Sequence, residues 1–126
     1  MKKQLDAVTE FHIAFKIGHS KTPIADLGET KKLLRYNLMK EENEEYLEAV
    51  QNNDLVEIAD ALGDMMYILC GTIIEHGLQD KIEAVFDEIQ RSNMSKLGED
   101  GKPIYREDGK VMKGPNYFKP DFSKLL

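Results

Sequence analysis

Apolar residues recur at helical spacing as far as Met94, and the recurrence then stops. A helix turns about 100° per residue, so positions three, four and seven apart share a face. Val8, Phe11 and Phe15 mark such a face on a first helix over residues 4–17, which Gly18 ends. Residues 19–29 carry Pro23 and Gly28, both poor in a helix interior, and read as an irregular connection. Thr30 is a candidate cap for a second helix over Lys31–Val50, whose stripe is marked by Leu34, Leu38 and Ala49. A polar turn at Gln51–Asp54 leads to a third helix, Leu55–Glu75, apolar around most of its circumference. Such a helix lies centrally in a bundle or at a subunit interface. After Gly77, an Asp80–Glu83 capping box starts a fourth helix, with Val85, Phe86 and Ile89 on its apolar face. The last thirty residues contain Asp100–Gly101 and Asp108–Gly109, and the second pair predicts a small β-hairpin. The expected fold is all-α: a bundle of four to five helices over residues 1–96, followed over 97–126 by a short β-hairpin or irregular tail. That tail would pack on the domain or on a partner subunit.

Charge interrupts this pattern in one place. Residues 41–64 hold nine carboxylates and no Lys or Arg. Glu41 and Glu45 fall on the line between Leu38 and Ala49, while Glu57, Asp60 and Asp64 share a face with Ala61 and Ile68. Carboxylates thus stand where amphipathic helices would continue an apolar stripe. If the two faces meet, negative charges converge in partly buried space, at a cost of several kcal/mol unless a cation compensates. A divalent metal ion would meet that need. The plainer alternative is that EENEE is a solvated helix surface, as Glu44 and Glu48 suggest, and that Glu57 serves a capping box with Asp54.

Bulk composition narrows the function classes. The chain has 126 residues, 41% of them hydrophobic and 32% charged, which suits one domain with a modest core assisted by an oligomer interface. Its net charge of -6 argues against binding duplex nucleic acid. No apolar run of membrane-spanning length and no secretory signal are evident, so a cytoplasmic location is expected. The single cysteine, Cys70, reads as a buried inert thiol. His12 lies beside the first helix's packed face, as a structural residue or one that meets a phosphate. Arg91, Asn93 and Lys96 near the end of the fourth helix are of types that bind phosphate, sugar or base edges. Basic residues near a helix C-terminus also answer plain dipole complementarity.

Taken together, these stretches resemble the all-α nucleoside triphosphate pyrophosphohydrolases, the group of MazG-like proteins, dimeric dUTPases and phosphoribosyl-ATP pyrophosphohydrolases. The resemblance covers about residues 8–96 and rests on paired carboxylate motifs, EExxE at Glu41–Glu45 and ExxD at Glu57–Asp60. A second register, with Ala61 in the glutamate's place, uses Asp64 instead. Phe11–His12, Tyr67–Thr72, Arg91–Lys96 and Arg106–Tyr117 bring the chain nearest to the phosphoribosyl-ATP pyrophosphohydrolase-like branch.

The resemblance implies a hydrolase that uses Mg2+, or Mn2+, to cut a nucleotide between its α- and β-phosphates. It implies metal ligands among Glu42, Glu45, Glu57, Asp60 and Asp64, and a water-activating glutamate among Glu41, Glu42 and Glu45. His12, Arg91, Asn93, Lys96, Lys110 and Lys113 would meet the substrate. The active unit would be a homodimer or a dimer of dimers. Two other functions fit the acidic helices: a carboxylate-bridged dimetal bundle, and a non-catalytic helical dimer that binds a basic partner. The first usually adds Glu-x-x-His motifs, and no histidine here stands three residues after a glutamate.

Overall fold

The structure, a computed structural model, describes residues 1–126. It is all-α, with helices α1 (Lys2–Ala14), α2 (Glu29–Gln51), α3 (Leu55–Glu75) and α4 (Ile82–Met94). No helix is long and apolar enough to cross a membrane. The chain divides into two compact units, residues 1–80 and 81–126.

In the first unit α3 packs against both α1 and α2. Leu5 and Val8 of α1, Ala49 of α2 and Ala61, Cys70, Ile73 and Ile74 of α3 form the small buried core. The stripe that α2 turns inward differs by one residue from the one its leucines predict. Arg35 and Ala49 are buried and Leu38, Met39 and Glu42 half-buried, whereas Leu34, Glu41 and Glu45 are exposed. Polar residues occupy much of this stripe, so hydrophobicity alone sets its phase wrongly.

Asp54 caps α3, its Oδ1 accepting from the Glu57 backbone N–H at 3.1 Å. The reciprocal half of the capping box is absent, because the Asp54 N–H donates to the Ala49 carbonyl at 3.0 Å instead. The Glu57 carboxylate is therefore not committed to the cap. Two other expected caps do not form. Gly28, at φ 84°, precedes α2 in place of Thr30, because the Asp26 side chain holds the Gly28 N–H at 2.9 Å and starts the helix early. Lys81 precedes α4, and Asp80 lies ahead of the cap position.

The connection between α1 and α2 is irregular in shape but pinned to the end of α3. Ser20 N–H donates to Ile74 O, Ile24 N–H to His76 O, and the Gln79 amide to Ser20 O, each at 2.8–2.9 Å. Gly77, at φ 68°, lies so close to the Thr22 carbonyl that a Cβ would collide with it.

In the second unit the tail folds onto α4. Buried Ser92 donates its hydroxyl to Phe118 O at 2.8 Å, and the Asp121 N–H donates to Glu88 Oε1 at 3.0 Å. The expected hairpin shrinks to a single antiparallel bridge between Tyr105 and Val111, around a turn with Gly109 at φ 87°. No strand forms. Asp108 is drawn into an ion pair with Arg106, and backbone bonds on either side of the bridge close the turn.

Candidate metal and nucleotide site

Helices α2 and α3 run antiparallel through the short turn at residues 52–54, which brings the two acidic stretches face to face. Glu42 is the side chain α2 turns inward. Its Oε2 is buried and has no hydrogen-bond partner. Its pKa is pushed up to about 7, first by burial, then by the adjoining Glu45 carboxyl and the charges of Asp64 and Asp60. Three other predicted ligands, Glu45, Asp60 and Asp64, thus each act on Glu42 electrostatically. Asp60 and Asp64 stand one turn apart on α3, so both registers of the second motif contribute to the field there.

One turn further along, Glu45 and Glu57 line a cavity of about 410 Å³ together with Glu48, Ala49, Asn52 and Asp54. Glu48 is exposed, as its surface reading expects, while Asn52 was not singled out from the sequence. The spacing Glu45, Glu48, Asn52, three and four residues apart, was the available signal. Glu41 and Glu44 point to solvent.

A hard cation suits this chemistry. The donors are carboxylate oxygens, the type Mg2+ and Mn2+ prefer. The unpartnered Glu42 oxygen and its raised pKa show that negative charge is costly there, a cost that a proton or a cation relieves. The side chains as placed do not converge on a point: no group of three His, Cys, Asp or Glu stands close enough to hold one ion.

The remaining predicted site residues have surroundings of their own. His12 is buried, its Nδ1–H donating to Gly18 O at 2.9 Å. In the second unit, Arg91 is held by Glu88 in a two-pronged bond of 3.0 and 2.8 Å and lies over the Phe118 ring, 4.3 Å from its centre. Asn93 and Lys96 line a cleft of about 400 Å³ with Met94, Leu97, Pro103 and Val111. Lys113 stacks over Tyr117 at 4.8 Å, and Lys110 lies exposed just past the Asp108–Gly109 turn.

The family model for phosphoribosyl-ATP pyrophosphohydrolase matches residues 8–93, a span that includes both acidic stretches and all of α4 but its last residue. The chain belongs to the phosphoribosyl-ATP pyrophosphohydrolase family. Among solved structures, this family member is similar to a protein from Exiguobacterium sp. 255-15 described provisionally as an NTP pyrophosphohydrolase. The two share 26% identity over 93% of this chain and 88% of that one, with a TM-score of 0.49. No curated protein sequence matches it.

Proposed function

We propose that this chain is a Mg2+-dependent nucleoside triphosphate pyrophosphohydrolase that acts on a (deoxy)nucleotide and releases a monophosphate and pyrophosphate. The observation that carries the reading is the Glu42 carboxyl, half-buried with an unpartnered oxygen among Glu45, Asp60 and Asp64. Such a group is costly without a cation. Glu42, Glu45, Glu57, Asp60 and Asp64 would hold the ion. When bound, Mg2+ supplies positive charge against the phosphates and polarises the phosphorus under attack.

The protein's own residues then carry the chemistry. A glutamate among Glu41, Glu42 and Glu45 accepts a proton from the attacking water, within hydrogen-bond reach of it. The new bond forms at the α-phosphorus. The bond to the bridging oxygen breaks, and pyrophosphate leaves with that oxygen's electron pair. Asn93 and Lys96 would receive the sugar or base, Arg91, Lys110 and Lys113 would offset phosphate charge, and His12 would bind substrate from α1. A homodimer, or a dimer of dimers, would be the working form. Leu62, Met66 and Leu69 lie on one line of α3 and are each nearly half exposed, as a subunit contact requires.

Product analysis by HPLC tests the reading, across dUTP, dCTP, the common NTPs and phosphoribosyl-ATP, with and without Mg2+. We expect metal-dependent release of a monophosphate and pyrophosphate, reduced at least about hundredfold in Glu45→Ala. No turnover of any of these with Mg2+ or Mn2+ would leave the acidic helices as a binding face for a basic partner.

A further inference from the structure

A second buried polar group lies two helical turns from the acidic cluster. Arg35 reaches from α2 to α3, where its Nε donates to Thr72 Oγ1 at 3.1 Å and its Nη2 to Ile68 O at 2.8 Å. The Thr72 hydroxyl donates to that same carbonyl at 3.0 Å. Glu75, 3% exposed, stands next along α3, with Oε1 3.6 Å from Lys31 Nζ and neither oxygen hydrogen-bonded. Gly71 makes room for this arrangement: a Cβ there would fall 2.5 Å from Arg35 Nη2 and 2.8 Å from His12 Nε2. Burial draws the Arg35 pKa down from its ordinary value, and the Glu75 charge opposes that.

The pairings run in antiparallel order. Lys31 meets Glu75, Arg35 meets Ile68 and Thr72, and Glu42 meets Asp64 and Asp60. Arg35 and Glu42 are seven residues apart on the same line of α2. The short turn at residues 52–54 ties the two helices at one end, but apolar contacts alone leave α2 free to rotate about its axis or splay from α3 beyond that turn. Mutual repulsion among the carboxylates favours such a movement. A guanidinium fork with two directional bonds to fixed acceptors does not tolerate it.

We propose that Arg35, acting through Thr72, is a positioning residue that fixes which face α2 turns to α3 and so holds Glu42 toward Asp60 and Asp64. The inference rests on the reading of that cluster as a metal site. Losing the fork leaves the acidic residues in place chemically but misaligned, which weakens the metal rather than abolishing the reaction.

The test uses Thr72→Val, which removes the acceptor of Arg35 Nε, Thr72→Ser, which keeps it, and Arg35→Lys, which keeps the charge without the fork. Two quantities are read at a temperature where all are folded by circular dichroism: Mn2+ affinity by electron paramagnetic resonance, and the Mg2+ midpoint of turnover. Thr72→Val and Arg35→Lys are expected to weaken Mn2+ binding about tenfold and raise the Mg2+ midpoint to match. Turnover at saturating Mg2+ recovers to near the wild-type value, and Thr72→Ser restores both quantities. A merely structural loss would lower maximal turnover and leave the midpoint unmoved, and that result overturns the proposal. So does a Thr72→Ser variant that behaves like Thr72→Val. Wild-type protein that binds no Mn2+ would refute the metal-hydrolase reading and this inference together. Wild-type binding with unchanged variants would refute this inference alone.

Discussion

At the scale of single residues, Glu42 is where solution conditions act on the protein. Its pKa of about 7 lies above the ordinary 4.5. The folded chain therefore binds this proton at pH values where the unfolded chain has released it. The stabilisation is fully present below pH 4.5 and is lost as pH rises through 7. Metal-free wild type should thus gain thermal stability relative to Glu42→Gln as pH falls from 8 to 5, measured by differential scanning calorimetry in EDTA. Added Mg2+ should stabilise wild type chiefly at the high-pH end, where the carboxylate is charged. The acidic residues themselves were legible from their spacing, but not which of them faces inward. Leucines set the expected phase of α2, whereas its buried stripe contains Arg35. Its partners stand 33 and 37 residues away. Only tertiary structure brings such pairs together, and the same holds for Glu75 and Lys31.

Helix boundaries were legible wherever a local signal was strong. α3 begins and ends where its Asp54 cap and its apolar run place it, because a side-chain cap and a continuous hydrophobic face agree. Asp54→Ala should cost about 1 kcal/mol in urea unfolding, and Asp54→Asn much less, since Asn keeps an acceptor for the Glu57 N–H. Signals that competed with tertiary contacts were misleading. Thr30 has the right chemistry for a cap, yet the Asp26 turn starts α2 before it. Asp108–Gly109 has the composition of a hairpin turn. The flanking residues, however, pair at one bridge only, and further along the tail Phe118 bonds to Ser92 and Ser95 at the end of α4.

For the whole molecule, the apolar character of α3 was legible and its burial was not. Leu62, Met66 and Leu69 remain open along one line of the helix. Met66→Asp should convert an assembly of two or four 14.4 kDa chains to monomers, read by sedimentation velocity. The short turn at residues 52–54 has a further consequence, for the order in which the chain folds. Contacts across a turn of that length cost little loop entropy, so the α2–α3 hairpin forms early and α1 docks afterwards. The same hairpin gathers the carboxylates. The earliest structure to assemble is therefore the one that charge most resists, and a divalent cation, if bound there as proposed, would speed the chain's folding.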